Sequence, residues 1–385
     1  MSERIEVEPD VARSLAYVRG EEEPILPAPR RGNSALFRLF GGLFSSVGNT
    51  ILTLVALAVI VLAAPPIIRW AFIDAVWTGD SRDACLSPEA GACWAFVRAK
   101  FWQFMYGRYP EPQRWRVDLT YVLAVIGLVP LMIPRFPGKL VNTLYMIVIF
   151  PIAAFLLLSG GYFGLPYIPT ELWGGLLVTL VVASVGIAGA FPLGIMLALG
   201  RRSRMPIVRW VSVGFIELVR GVPLITVLFM ASVMLPLFLP EGMTIDKLLR
   251  ALIMVALFAA AYLAEVIRGG LQAIPRGQFE AADALGLTYA QKMGLIVLPQ
   301  ALKLVIPGIV NTFIGLFKDT SLVLIIGIFD LLGIVQLNQT DSKWFSHATA
   351  MTGYVFAGLI FWIFCFGMSR YSLFIERRLA ASDRR

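Results

Sequence analysis

Three ionisable side chains lie within or beside stretches of the sequence that are otherwise apolar: Glu265, Lys318 and Asp319. If these stretches cross a membrane, each charge costs several kcal/mol and needs either a partner or a use. Adjacent residues of a helix point about 100° apart, so Lys318 and Asp319 are each expected to meet a group on another helix. Together with the hydroxyls of Thr320 and Ser321, these charges could bind both ends of a zwitterionic solute.

An alternative interpretation of the same residues stays open. Glu265 could pair with Arg268 near the membrane interface, and Lys318 could cap backbone carbonyls, without any contact to a solute. Arg220 also lies at the edge of an apolar stretch. The candidate solute path is Arg220, Glu265, Lys318, Asp319, Thr320 and Ser321.

Other chemistry is scarce in these 385 residues. There is no phosphate-binding loop G-x-x-x-x-G-K-[ST], no H-E-x-x-H and no G-x-S-x-G, and a single histidine, His347, leaves little material for acid–base catalysis. Cys85 and Cys93 share a long polar segment, and they are either a disulfide or two unpaired thiols; zinc is disfavoured because no histidine or second cysteine pair lies near them. We therefore expect no enzyme and no metal site.

The composition defines the class of protein that must position these residues. Apolar and aromatic residues make up 58% of the chain, charged residues 15%, and the mean hydropathy is +0.77. A soluble domain has about 25% charged residues, so this composition indicates an integral membrane protein and excludes disordered, collagenous and disulfide-scaffold classes. In that class the formal net charge of +8 records orientation rather than nucleic-acid binding.

Eight stretches with few or no charges predict eight membrane-spanning helices, because about 20 apolar residues cross the hydrocarbon core. They are Leu39–Ile68, Leu119–Pro134, Leu140–Thr170, Leu172–Gly200, Gly221–Pro240, Ala251–Ala264, Leu304–Phe317 and Trp344–Ser369. Between them, 21 of the 33 Lys and Arg residues fall on one side and ten on the other. The positive-inside rule then predicts that both termini are cytoplasmic and that the segment 69–117 is a long periplasmic loop.

One segment on the predicted cytoplasmic side, residues 268–303, has a composition that indicates regular structure. Residues 278–285 are good helix formers, Gly286 can adopt the backbone angles that end a helix, and Pro299 is expected to mark a new break. The small side chains of Ala281 and Ala282 would allow another protein to approach closely. The pattern predicts two short helices joined at a glycine.

The residues of this segment carry a family resemblance. Glu280-Ala281-Ala282, then Gly286, Ile296 and Leu298-Pro299 at fixed spacing, resemble the complete EAA signature of permease subunits of bacterial ABC importers. Further segments are similar to the polar amino-acid permeases, and the length and layout resemble the M-type membrane subunit of general L-amino-acid importers. Those segments are Arg220–Leu224, with Val222 in place of the usual threonine, Ala260–Gly270, Ile274–Gln278 and Lys318–Leu322.

The resemblance implies an all-α integral membrane fold: a five-helix type I permease core preceded by three extra helices. It divides the chain into a disordered cytoplasmic tail (1–38), three N-terminal spans (39–170), the permease core (171–376) with its coupling loop (about 269–300), and a cytoplasmic C-terminal tail (377–385). In this family the EAA loop docks on the ATPase subunit, which implies that role here. The implied coupling residues are Glu280, Ala281, Ala282, Asp283, Gly286, Ile296, Leu298 and Pro299.

The resemblance further implies a function and partners. The chain is expected to be a permease in the bacterial inner membrane that moves L-amino acids inward by alternating access. The expected partners are an ABC ATPase dimer, which would bind ATP and Mg²⁺, a second related permease, a periplasmic amino-acid-binding protein and membrane lipid, with no cofactor on this chain and no nucleic acid. An ion-coupled secondary transporter of small polar solutes and a non-transporting assembly subunit remain alternatives; the first often shows an internal repeat, and none is found in this sequence.

Overall fold

A computed structural model describes residues 41–133 and 135–382, and within them the regular elements are helices. The tail predicted over 1–38 lies outside the described residues. The chain divides into two compact units, one ending at Ile68 and one beginning at Arg69. The first unit contributes α1 (Val47–Ile68), an almost uniformly apolar helix none of whose residues is buried.

The second unit contains the remaining helices, which follow one another with short connections. They are α2 (Trp94–Tyr106), α3 (Arg114–Met132), α4 (Lys139–Ser159), α5 (Gly175–Arg201), α6 (Pro206–Gly221), α7 (Leu224–Phe238), α8 (Lys247–Ala273), α9 (Arg276–Ala284), α10 (residues 289–304), α11 (Ile306–Ile326), α12 (Leu331–Asn338) and α13 (His347–Ser382).

The number of candidate spans agrees with the sequence. In the described residues seven helices are long and apolar enough to cross a membrane, and the bent pair α6 and α7 makes eight if it is counted as one span. That pair differs from the predicted span Gly221–Pro240, because the helix begins at Pro206 and turns by 104° between its two halves. Val222 is extended and Pro223 has no backbone N–H, so the helix cannot continue through them.

The parallel pair α5 and α8 forms the centre of the fold. A Cβ added to Gly186 would lie 3.1 Å from Val255, and one added to Gly194 would lie 3.0 Å from Leu263. These glycines let the two backbones approach closely, which is how helices associate in lipid. Val255 also belongs to the largest buried cluster, to which α11 contributes Leu316.

The predicted periplasmic loop 69–117 is folded, and it packs on the permease core. It contains α2 and the first residues of α3, and Phe96 and Phe104 of α2 share a buried cluster with Leu331 and Ile334 of α12. Within it Cys85 and Cys93 are joined by a disulfide with a Cα–Cα distance of 5.8 Å. This segment is therefore a fixed part of the bundle at the end where α5 begins.

Two predicted boundaries shift at helix ends. The apolar run 140–170 is helical only to Ser159, because Gly160 takes a positive φ of 68° and ends the helix. The predicted C-terminal tail 377–385 is helical through Ser382, as the last helix α13 continues past the end of the apolar stretch.

Candidate functional site

The segment that carries the EAA-like residues is a helical hairpin beyond the end of α8. Ile274 is extended and α9 begins after Pro275. Gly286 has φ +70°, which permits the turn, and Thr288 starts α10 with a capping box to Gln291. The hairpin that we call the coupling hairpin, residues 274–305, thus has the two helices and the glycine joint that the sequence predicts.

The structure separates the matched residues of α9 into two faces. Glu280, Ala281 and Asp283 are exposed, whereas Ala282 is fully buried. Ala282 lies one helical turn from the half-buried Phe279, and both belong to the inner face of α9. The expectation that Ala282 admits a partner protein is therefore wrong: the small side chain lets α9 pack on its own chain.

The inner side of α10 seats the hairpin on the transmembrane bundle. Met293, Val297 and Ala301 are buried in one cluster with Ile267 and Leu271 of α8. Of the other matched residues of α10, Ile296 and Leu298 are half-buried and Pro299 is exposed.

The break predicted at Pro299 is also wrong. Pro299 lies in the first turn of an α-helical segment, where it needs no N–H partner, and the chain instead breaks at Val305 before α11. A Cβ at Gly270 would lie 2.6 Å from the carbonyl oxygen of Ala301, so the glycine allows α10 to lie directly against α8.

The contacts of two basic side chains, Arg202 and Lys292, hold α9 in place. The Arg202 guanidinium, at the end of α5, donates to the Leu271 carbonyl at 2.8 Å and lies 5.7 Å from the centre of the Phe279 ring. Lys292 pairs with Asp283 at 2.5 Å across the turn at Gly286. A displacement of α9 would therefore be transmitted to α5, α8 and α10.

An ion cluster joins the ends of α5, α6 and α8 just above the hairpin. The Glu265 carboxylate lies 2.9 Å from Arg201, 2.8 Å from Arg268 and 3.7 Å from Arg220. Arg201 also pairs with Glu217 at 2.8 Å. The side chain of Glu265 is only 15% exposed, so one poorly hydrated carboxylate holds three guanidinium groups.

The candidate solute-path residues do not form one group. Glu265 and Arg220 belong to the ion cluster at Arg201, while Leu316, just before Lys318, packs 3.2 Å from the Cβ position of Gly186. Arg201 follows Gly186 by fifteen residues in α5, which is about 22 Å at 1.5 Å per residue. The two groups of candidate residues are therefore separated by about that distance along α5.

The second group, residues 318–321, lies just past the middle of α11. Lys318 is exposed, Asp319 is half-buried, and neither side chain forms an ion pair with another described residue. The hydroxyls of Thr320 and Ser321 donate to the carbonyls of Phe317 and Lys318. Both hydroxyls therefore satisfy the helix backbone in this conformation.

Sequence reasoning missed an apolar surface on the coupling hairpin. Leu285, Tyr289 and Leu295 are 75%, 59% and 71% exposed. Large apolar side chains grouped beyond the end of a membrane bundle are typical of a protein-binding surface. The sequence gives little indication of this surface, because three apolar residues do not stand out in a chain in which most residues are apolar.

The described residues contain no group of three His, Cys, Asp or Glu side chains that could hold a metal ion. What the fold and the site define is a multi-span helical membrane protein with an exposed helical hairpin at one end of its bundle.

Comparison with known proteins gives the family. Residues 190–381 match the family described as binding-protein-dependent transport system inner membrane component. The chain is 54% identical to the inner membrane amino-acid ABC transporter permease protein YhdY of Escherichia coli, over 92% of this chain and 96% of that protein. It is 40% identical to the glutamate/glutamine/aspartate/asparagine transport system permease protein BztC of Rhodobacter capsulatus, over 96% and 99%.

The chain therefore belongs to the family of binding-protein-dependent transport system inner membrane components, and the resemblance to ABC-importer permeases is confirmed. A shorter relative is the probable glutamine ABC transporter permease protein GlnM of Bacillus subtilis, 31% identical over 53% of this chain and 91% of its own length. Much of this chain thus has no counterpart in the shorter permease.

Proposed function

We propose that this protein is the membrane permease subunit of an ATP-driven importer of L-amino acids, polar or broad in range, that works by alternating access. The two relatives that match over nearly their whole length are named as permeases for amino acids. Their names support the solute class. The observation that carries the coupling role is the exposed apolar surface of the coupling hairpin, Leu285, Tyr289 and Leu295.

In this proposal ATP and Mg²⁺ are bound by a separate ATPase dimer that docks on the coupling hairpin. Glu280, Asp283 and Gly286 form the exposed part of the docking surface together with the apolar residues. Closure of the ATPase would displace α9, and the contacts of Arg202 with Phe279 and Leu271 would carry that displacement into α5 and α8. Packed helices transmit such shifts because protein interiors have low compressibility.

The ion cluster supports a mechanical role for the ends of α5, α6 and α8. Removing one member of a buried ion group leaves the remaining charges uncompensated, at a cost of about 3–5 kcal/mol. Glu265 therefore holds three helix ends together in this conformation, and movement of the hairpin would have to shift them as a set. We place Lys318, Asp319, Thr320 and Ser321, just past the middle of α11 and away from the ion cluster, closer to the solute.

The further partners follow from the single coupling hairpin found among the described residues. A two-subunit ATPase would need a second, related permease chain, and solute would be delivered by a periplasmic amino-acid-binding protein. Both termini and the coupling hairpin would then face the cytoplasm, and the disulfide-bearing segment 69–117 would face the periplasm, where such a bridge persists. Basic residues at the cytoplasmic end would lie against anionic lipid headgroups.

Reconstitution tests this proposal. The chain is incorporated in proteoliposomes with candidate ATPase and permease partners, and uptake of radiolabelled amino acids is measured with the binding protein present. We expect uptake to require ATP on the side of the membrane opposite the binding protein. Proton and sodium ionophores should leave this uptake unchanged. Uptake that follows an ion gradient without ATP would establish a secondary transporter instead, and an assembled complex that hydrolyses ATP without any uptake would establish an assembly subunit.

A further inference from the structure

A polar pocket of about 270 Å³ opens at the end of the bundle opposite the coupling hairpin. Its charged residues are Arg108 from the segment after α2, Glu171 just before α5, and Lys247 at the start of α8; Trp173 and Phe329 also line it. Three parts of the chain that are far apart in sequence thus meet around one concave surface. We call this surface the outer pocket.

The three charges of the outer pocket do not neutralise one another. No ion pair joins Glu171 to Arg108 or Lys247, although all three line the same space. Arg108 is held in place by a hydrogen bond to the Glu171 carbonyl oxygen at 2.9 Å and by the ring of Phe329, 5.4 Å away. The outer pocket therefore presents two cations and one carboxylate, with one guanidinium already oriented.

The nearest further carboxylate is already engaged. Asp246 accepts hydrogen bonds from the Thr170 hydroxyl and from the backbone N–H of Leu249 at the start of α8. Lys247 instead extends toward the pocket, where its Nζ lies 3.7 Å from the position that a Cβ would take at Gly327. Gly327 has φ +74°, so the chain turns tightly there and leaves that space open.

Trp173 adds an unsatisfied donor. The residue is 6% exposed, and its indole Nε1 has no hydrogen-bond partner among the described residues. A buried donor without an acceptor costs about 1–3 kcal/mol. Because the Nε1 atom itself is buried, Trp173 contributes a wall of the outer pocket, and the ligand is assigned from the three charges alone.

We propose that the outer pocket binds a free acidic amino acid, with its two carboxylates at Arg108 and Lys247 and its ammonium at Glu171. The two cations and one anion of the pocket match the two anions and one cation of such a ligand. A neutral amino acid would leave one cation unpaired, and a basic one would add a second ammonium next to it. This charge pattern, rather than apolar contact, sets the class of ligand.

The size of the outer pocket agrees with that class. Since a water molecule occupies about 30 Å³ of liquid, 270 Å³ accommodates one small organic molecule and no folded protein segment. The assignment rests on the proposed function, in which this end of the permease meets the incoming solute. It also gives the segment 69–117 a role, since that segment supplies Arg108.

Direct binding tests the assignment. The assembled transporter is placed in lipid nanodiscs without its binding protein, and radiolabelled L-aspartate is titrated against succinate and L-lysine as competitors. We expect saturable L-aspartate binding that L-lysine does not displace. Arg108→Gln and Lys247→Gln should each weaken it by at least about tenfold, and Lys247→Arg should restore it, whereas Arg98→Gln, an exposed arginine outside the pocket, should leave it unchanged.

Glu171→Gln separates the two ends of the ligand. This variant should weaken L-aspartate binding by about tenfold but leave succinate, which has no ammonium, unaffected. Equal weakening of both ligands would overturn the assignment of the ammonium to Glu171.

Two results would overturn the assignment as a whole. One is L-aspartate binding that is absent in the wild type or unchanged in Arg108→Gln and Lys247→Gln. The other is loss of binding-protein docking in those variants with L-aspartate binding retained, which would make the outer pocket part of a protein interface. ATP-driven uptake by the same preparations, measured in parallel, reports on the proposed function independently.

Discussion

Substituting Gly286 by Asp tests the coupling hairpin with little cost to the fold. The backbone φ of +70° disfavours side chains by about 1–2 kcal/mol, and Asp and Asn are among the residues that tolerate it best. No atom lies within 4 Å of the added Cβ, so no overlap adds to that strain. The variant should therefore fold with a loss of about 1 kcal/mol.

The expected functional loss is much larger than this strain. A new carboxylate beside the exposed Asp283 and Glu280 would enter the surface that we propose to dock on the ATPase. An unpaired charge in a protein interface costs several kcal/mol, and about 3 kcal/mol corresponds to more than a hundredfold loss of affinity. We expect ATP-dependent uptake to fall by that order, with ATP hydrolysis no longer stimulated by solute and binding protein.

Gly242→Asp is the matched control for this experiment. Gly242 has φ +82° and equally open surroundings, and it lies before α8, at the opposite end from the coupling hairpin. It therefore carries the same strain and the same new charge. Both variants are assayed for melting temperature, co-purification of the ATPase and uptake in proteoliposomes. If Gly286→Asp transports as well as Gly242→Asp, the docking role of the hairpin is refuted.

Three further predictions concern other parts of the chain. Glu265→Gln should lower the free energy of unfolding by about 3 kcal/mol, measured by denaturation in detergent, and an unchanged stability would show that the arginines of the ion cluster find other partners. Cys85→Ser should remove about 2.5 kcal/mol, worked from the short loop that the bridge to Cys93 closes, and reductant should lower the melting temperature of the wild type but not of the variant. Burial raises the pKa of Asp330 to about 6, so its contribution to stability should be greatest below about pH 4 and should be lost as the pH rises through 6, by roughly 3 kcal/mol in total. Asp330→Asn should flatten that dependence in melting curves, and an equal slope in both proteins would assign it to another group.

The spans and the coupling hairpin could be predicted because their signals are local. A charge-free stretch of sufficient length specifies a span by itself, and a run of helix formers followed by Gly286 specifies a turn. The bend at Pro223 is also local, but the preceding helix α6 carries Arg209, Glu217 and Arg220. Because of those charges, a search for long apolar stretches assigns α6 to the connection between two spans and does not count it as part of a span.

The contacts that decide function were not predictable in the same way. Ala282 and Ala281 are identical neighbours in sequence, and only the packing of α9 on α10 determines that one is buried and the other exposed. Arg202 meets Phe279, and Arg108 meets Phe329, across long separations in the chain. Such pairs leave no periodic pattern in the sequence, because each depends on how separate helices dock.

The central pair of helices connects the two ends of the molecule. α5 begins after Trp173 of the outer pocket and ends at Arg202 on the coupling hairpin, while α8 begins at Lys247 and ends beside Leu271. Close packing through their glycines makes independent sliding of either helix costly. A displacement of the hairpin would therefore move α5 and α8 together, and Arg108 would move with them, because Gly107 packs on Gly174 and Arg108 donates to the Glu171 carbonyl oxygen at the start of α5. The outer pocket and the coupling hairpin are thus connected by the same two helices, so a ligand that binds the pocket better in one conformation of the permease would favour that conformation at the hairpin as well.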